Sequence, residues 1–163
     1  RVAPVEWALA FADFSCEVHA EVGRLLDPAF QRAGGNPAGG GLAAATSTGG
    51  MTGKPAGRVG DTAIIGAGTW ADDKIAVSCT GVGEAYIRTC AAHSLATKYQ
   101  YSSNLSQSAT QLLDEVAPLG GRGGLIAITS DGDFVMPFQT RLMYRGSWKN
   151  GSSEVGIGPP LEQ

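Results

Sequence analysis

The residues best suited to chemistry fall in one run, Thr46-Ser-Thr-Gly-Gly-Met-Thr-Gly-Lys-Pro-Ala-Gly-Arg-Val-Gly-Asp61, where three hydroxyls are followed by repeated bends and then by one cation and one anion. Gly49, Gly50, Gly53, Pro55, Gly57 and Gly60 punctuate the run, so Arg58 and Asp61 are held on a tight loop rather than on a helix face. Arginine's planar fork takes a carboxylate bidentately and aspartate takes an ammonium, so the pair suits a zwitterion such as an amino acid. The same two residues could equally form an ordinary surface ion pair, which is worth little. A second candidate is Thr80-Gly-Val-Gly83, a turn placed between a strand and a helix. Backbone N–H groups at a helix N-terminus stabilise negative charge, either a phosphate or the oxyanion of acyl transfer. A dinucleotide fingerprint does not fit, because Gly83 is followed by Glu84, Ala85 and Tyr86 and the third glycine is missing. Glu84 could cap the helix that starts there instead of acting as a base.

The elements that must position these residues follow from the pattern around them. Gly41 to Ala45 is small and apolar and predicts a buried strand that delivers Thr46, Ser47 and Thr48 to its end. Asp72-Asp73 predicts a turn, and Lys74 to Cys79 a strand. Glu84 to Tyr99 predicts a helix of about four turns, and Ser106 to Val116 a second one. Leu125–Ile128 and Phe134–Met136, joined by Ser130 to Asp133, predict a β-hairpin, with a short strand in Arg141–Gly146 and an exposed polar tail from Ser147 to Gln163. Upstream, apolar residues at mixed spacing between Val5 and Leu26 predict one or two helices, and Phe30 to Gly41 has the composition of a linker. The boundary is therefore placed after residue 40. Strand, strand, helix, helix, hairpin is not βαβ alternation, and the order predicts an α+β fold.

Composition narrows the class. The chain has 163 residues with 43% hydrophobic and 17% charged, enough for one domain with a core. A net charge of −3 leaves no electrostatic footprint for nucleic acid, and no stretch is apolar enough to span a membrane. Cys16, Cys79 and Cys90 are odd in number and lack framework or zinc spacing, which predicts reduced thiols in a cytoplasmic protein. No export signal is read at the start, because Glu6 and Asp13 interrupt the apolar content. His19 and His93 stand far apart, so no metal site is expected.

The run from Thr46 to Asp61 resembles the signature of the plant-type asparaginase and isoaspartyl peptidase family. These are N-terminal-nucleophile (Ntn) hydrolases made as one chain and cut into two subunits. Asp61–Ala71, Ala76–Glu84, Gly123–Ile128, Met136–Thr140 and Met143–Arg145 follow in the order of that family's C-terminal β subunit, so the resemblance covers roughly residues 41 to 146. It implies a four-layer αββα sandwich with antiparallel sheets, of which this chain would supply half. It also implies an α subunit from the same precursor as partner, an (αβ)2 assembly, no organic cofactor, and amino-acid or dipeptide substrates. Residues 41–163 would then be the β-subunit-like region with a polar C-terminal tail and residues 1–40 an N-terminal segment of unclear origin ending in a glycine-rich linker.

The implied activity is hydrolysis of β-aspartyl (isoaspartyl) peptides and of the L-asparagine side-chain amide. A catalytically silent binding or assembly module, or a glycosylasparaginase-like amidase, would share most of these residues. By resemblance Arg58 clamps the substrate α-carboxylate, Asp61 its α-amino group, and the carbonyl of Gly83 also holds the ammonium. Thr80 hydroxyl and Gly81 N–H would form the oxyanion hole, and Thr48 would hydrogen-bond the nucleophile. The family's nucleophile is an N-terminal threonine acting with its own α-amine as base. Its place, counted back without gaps, falls on Phe30, and no threonine precedes Thr46. A shifted reading frame upstream, a homologue without catalysis, or an unusual nucleophile would each account for this. For the last, Ser15 and Cys16 are the upstream candidates, and Cys16 also fits a buried structural thiol.

Overall fold

A computed structural model describes residues 5–12, 18–25, 41–149 and 152–158. Two antiparallel sheets make up its strands. The first is five-stranded, from β1 (Val5–Ala12), β2 (Val18–Leu25), β3 (Gly41–Thr48), β8 (Tyr144–Lys149) and β9 (Ser152–Gly156), in the order β3-β2-β1-β8-β9. The second is four-stranded, β4-β5-β6-β7, from β4 (Thr69–Ala71), β5 (Ile75–Gly81), β6 (Gly123–Thr129) and β7 (Phe134–Val135). Three helices lie between β5 and β6 in the chain: α1 (Gly83–Thr89), α2 (Ala91–Ser102) and α3 (Leu105–Val116). The fold is α+β.

β5 and β6 are buried along almost their whole length, because each of their faces meets a different layer. On one face Ile75, Val77, Cys79, Leu125 and Ala127 pack under the helices, against Tyr86, Leu95 and Leu112 among others. On the other, Ala76, Ile126, Ile128 and Met143 pack with Leu42 and Ala44 of β3 and with Phe134, Met136 and Phe138. The five-stranded sheet therefore lies over the four-stranded one, and the layers run helix, sheet, sheet. Polar links cross that interface among the described residues: Thr46 of β3 is hydrogen-bonded to Ser78 of β5 and reaches Gly68 O at 3.4 Å, and Lys149 Nζ of β8 donates to Gly132 O in the β6–β7 turn at 2.8 Å.

The region from Val5 to Leu25 is two strands and not the helices its mixed spacing suggests. Val5, Trp7, Leu9 and Phe11 alternate with Glu6, Ala8, Ala10 and Ala12, a period of two, and β1 pairs in register with β2 from Val5↔Leu25 to Ala12↔Val18. The linker-like run from Phe30, with Ser15 and Cys16, lies outside the described residues apart from Gly41, which opens β3. Because β1, β2 and β3 cover the inner face of the four-stranded sheet, that face is closed within this chain and does not wait for another subunit to cover it.

Further along, the expected four-turn helix is two helices, broken at Cys90, whose backbone is left-handed (φ 46°). Its N–H bonds back to Ile87 O, and Ser94 Oγ donates to Thr89 O at 2.6 Å, closing the corner. α3 starts at Leu105, where Asn104 Oδ1 accepts the N–H of Gln107 at 3.0 Å, and the β6–β7 hairpin falls where its pattern places it. The stretch after Ser147 is not wholly an exposed tail. Ser147 is buried inside β8, which pairs with β1 (Ala8↔Ser147) and with β9, and only β9 carries the exposed polar character expected.

Candidate active site

The site is built where the loop after β3 meets the junction of β5 and α1. β3 alternates: Leu42, Ala44, Thr46 and Thr48 are half-buried while Ala43, Ala45 and Ser47 are exposed. Of the three hydroxyls, then, Thr46 and Thr48 face inward and Ser47 does not. Thr48 Oγ1 accepts the N–H of Gly50 at 2.9 Å, which starts the loop that carries Arg58.

Asp61 opens a short 3-10 turn and is only 5% exposed. Its carbonyl accepts the N–H groups of Ile64 (2.9 Å) and Gly68 (3.1 Å), and Gly68 O in turn accepts Cys79 N–H at 2.8 Å, so the acid is tied by backbone to β5. Two glycines permit this closeness. A Cβ on Gly68 would stand 2.6 Å from Asp61 C and O, and one on Gly83 would stand 2.8 Å from Asp61 N and Oδ1. Asp61 is therefore wedged between two chain segments without side chains.

Burial decides its electrostatics. Desolvation raises the Asp61 carboxyl from 3.8 to about 6, opposed by its own backbone hydrogen bond and by Arg58, and reinforced by Glu84. The Cys79 thiol and the Tyr86 phenol beneath it are pushed up by burial first, and the charge of Asp61 adds to both. Among the described residues two buried side-chain oxygens have no hydrogen-bond partner, Asp61 Oδ2 and Thr80 Oγ1. An unpaired buried polar atom costs about 1–3 kcal/mol unless something satisfies it.

Arg58 is held chiefly by Glu84. Its Nε donates to Glu84 Oε1 and its Nη2 to Glu84 Oε2, each at 2.8 Å, and Nη2 also touches Met51 Sδ at 3.4 Å. Glu84 is in the first turn of α1, whose N-cap is Val82 without a side-chain cap bond, so the acid is an ion-pair partner and not the cap of its helix. Its carboxyl is held below the ordinary range, chiefly by the Arg58 hydrogen bonds. Sequence reasoning missed this pairing. The available signal was an acid in the first turn of a helix that begins at Gly83, a position that a helix dipole already favours.

Thr80 and Gly81 end β5, paired with Gly124 and Gly123, and Gly83 opens α1 against Asp61. Arg58, Asp61, Glu84 and Gly83 are thus one cluster, and Thr80 adds a buried hydroxyl on the strand that leads to it. His93 stands apart, exposed, with its ring edge-on to Trp70 (centroids 4.6 Å). No three His, Cys, Asp or Glu among the described residues are grouped to hold a metal. A cleft of ≈ 440 Å³ between the start of α3 and the β6–β7 turn, lined by Asn104, Ser106, Asp133 and Lys149, contains none of the cluster.

A family model described as "Asparaginase" matches residues 37–157. This chain belongs to that asparaginase family. The isoaspartyl peptidase of Salmonella typhimurium is 50% identical over 109 residues, covering 65% of this chain and 35% of that protein. The putative isoaspartyl peptidase/L-asparaginase of Dictyostelium discoideum is 51% identical over 108 residues, 66% of this chain and 31% of that protein. The isoaspartyl peptidase/L-asparaginase of Rattus norvegicus is 41% identical over 120 residues, 72% and 36%. The chain spans about a third of the length of these asparaginase-family relatives. The matched region takes in the whole cluster and the β5–α1 junction, and β1 and β2 lie before it.

Proposed function

We propose that this chain forms the part of an Ntn hydrolase that binds and activates β-aspartyl substrates, cleaving isoaspartyl peptides and the side-chain amide of L-asparagine. The observation that carries the reading is a pair of buried oxygens without partners among the described residues, Asp61 Oδ2 on the loop that also holds Arg58 and Thr80 Oγ1 at the end of β5. An ammonium satisfies the first, the oxygen of a tetrahedral intermediate satisfies the second, and an α-carboxylate meets the guanidinium. In this reading Arg58 and Asp61 hold the amino-acid end, with the Gly83 carbonyl as a further acceptor for the ammonium. Thr80 Oγ1 and the N–H of Gly81 receive the developing oxyanion. Thr48 orients the attacking hydroxyl. In the family that hydroxyl is an N-terminal threonine's, for which this chain offers no threonine before Thr46. It would attack the side-chain carbonyl carbon, the amide nitrogen would leave as ammonia or as the amine of the peptide, and water would release aspartate from the covalent acyl-enzyme.

The partner in this reading is an α subunit from the same precursor, assembled as (αβ)2, and it supplies the outer layer of an αββα sandwich. Ala43 and Ala45 on the outer side of β3, with Tyr144 and Val155 at the other end of the same sheet, are exposed and small or apolar, as a covered face requires. Residues 41–163 are then the β-subunit-like region and residues 1–40 a segment of unclear origin whose β1 and β2 join its five-stranded sheet.

A second reading, a binding module without turnover, is favoured by one sequence fact: no threonine precedes Thr46. Ammonia release from L-asparagine and cleavage of a β-aspartyl dipeptide, measured with the full chain alone and co-expressed with an α subunit, test the pair. Calorimetry with the product L-aspartate completes the test. Turnover supports the hydrolase, binding without turnover supports the module, and absence of both removes the zwitterion site altogether.

A further inference from the structure

The end of β5 that carries Thr80 and Gly81 is backed by a side chain that the roles above leave unused. Along β5, Ile75, Val77 and Cys79 face the helices, while Ala76 and Ser78 face the five-stranded sheet. By the same alternation Thr80 turns its hydroxyl to the sheet side, and Gly81 turns the place of its missing side chain to the helices. Gly123, its partner on β6, lies on the same face as Leu125 and Ala127. Neither strand has a side chain there, and Tyr86 of α1 fills the gap. A Cβ on Gly81 would stand 2.8 Å from Tyr86 Cε2, and one on Gly123 would stand 2.7 Å from Tyr86 Oη. The buried ring therefore lies across the paired glycines. Its hydroxyl donates to Gly124 O at 3.5 Å, a long bond, so the support comes from the ring more than from the phenol. Gly81 has φ 150°, a conformation that glycine adopts without penalty and can also leave without one.

We propose that Tyr86 is a positioning residue for the Gly81 peptide, its ring backing the last pair of the β5–β6 ladder so that the Gly81 N–H keeps one orientation relative to the Thr80 hydroxyl. This rests on the reading of Thr80 and Gly81 as the receiver of the oxyanion. Donors that are fixed before charge develops stabilise it without having to reorganise, and a glycine peptide has no side chain with which to fix itself. α1 serves both ends of the ligand: it begins with Gly83 against Asp61 and places Tyr86, three residues on, against Gly81. A side chain that merely fills the core would disturb both ends when altered. A positioner of the Gly81 peptide affects only the ligand group that meets that peptide.

The experiment is calorimetric titration of the full chain and two variants with L-aspartate and L-alanine. Both probes carry the amino-acid end, and only L-aspartate carries the side-chain carboxylate that the scissile carbonyl becomes. Tyr86→Met keeps apolar bulk but replaces the flat ring with a flexible chain, whereas Tyr86→Phe keeps the ring and loses the hydroxyl. The expected result for Tyr86→Met is an L-aspartate Kd raised roughly tenfold with an L-alanine Kd within about twofold of the parent, and for Tyr86→Phe both within about twofold. Equal losses for the two probes in Tyr86→Met would make Tyr86 a core filler and overturn the inference. So would unchanged L-aspartate affinity, and so would a loss in Tyr86→Phe as large as in Tyr86→Met. Should Tyr86→Met fail to fold, NMR spectra of the parent with 13C-labelled tyrosine decide, the Tyr86 ring signals being identified by their loss in Tyr86→Phe. Those signals should shift further on L-aspartate than on L-alanine, and equal shifts would overturn the inference. A parent that binds both probes equally loses the oxyanion reading, and one that binds neither loses the zwitterion site. Both results are distinct from any change between parent and variant.

Discussion

At the scale of single residues, the chemistry of the cluster depends on which polar atoms are satisfied before a ligand arrives. Arg58→Ala is expected to raise the KM for L-asparagine or the Kd for L-aspartate by an amount worth on the order of 2–4 kcal/mol, since a desolvated bidentate clamp is lost. Cooperative melting should survive, and melting curves run beside the binding assay check both. Thr80→Val separates stability from rate. Its hydroxyl is buried without a partner among the described residues, so an apolar group of the same shape should leave stability unchanged or raise it by about 1 kcal/mol. Removing an oxyanion donor should lower kcat by about 2.7–4 kcal/mol in barrier with little change in KM, which steady-state kinetics of an active complex would read. Asp61 gives a pH signature with a definite sign. Its folded pKa, about 6, exceeds its ordinary 3.8, so its contribution to stability is fully present below about pH 3.8 and is lost as pH rises through 6. Denaturant titrations of the parent should therefore lose up to about 3 kcal/mol relative to Asp61→Asn across that window. Ligand affinity runs the other way, because an ammonium prefers the ionised acid, so L-aspartate should bind more tightly as pH rises through 6. The loop that places Arg58 and Asp61 was legible in its glycines and proline. Glu84 was not, because its partner is 26 positions away and only the turn at Gly83 brings them together.

At the scale of elements, the site depends on close backbone approach. Gly83 starts α1 against Asp61, and Gly83→Ala should push a methyl into Asp61 N and Oδ1, abolish L-aspartate binding and lower stability by about 1–3 kcal/mol. A chemical denaturation curve with a binding isotherm would check this, and retention of binding would show that the wedge has slack. β5, α3 and the β6–β7 hairpin were readable because each has a clear period and a turn or cap at its end. β1 and β2 were not, because clustering every apolar residue from Val5 to Leu26 obscures the simple alternation of Val5, Trp7, Leu9 and Phe11. The break at Cys90 has no local sequence signal, since neither glycine nor proline stands there. It follows from tertiary bonds, with Ala92 and His93 donating their N–H groups to Ala67 O and Gly66 O. β8 runs past the expected Arg141–Gly146 to Lys149 for a similar reason: Ser147 looks like the start of a polar tail until β1 pairs with it.

At the scale of the whole molecule, closure of the inter-sheet core changes what the chain should do alone. It should unfold cooperatively, because both faces of the four-stranded sheet are covered, yet associate with increasing concentration through the outer face of the five-stranded one. Sedimentation velocity over a concentration series would show this, and co-expression with an α subunit should replace the series by one discrete species. A chain that stays monomeric throughout would argue against a covering layer. The sandwich also carries a fastening. Thr46 and Ser78 are joined across the sheet interface, and each has a second inward-facing hydroxyl two residues further along its own strand, Thr48 and Thr80. With the Lys149–Gly132 link, this bond opposes sliding of one sheet over the other. The hydroxyl proposed to aim the attack and the one proposed to receive the charge therefore each stand two residues from the same cross-sheet joint.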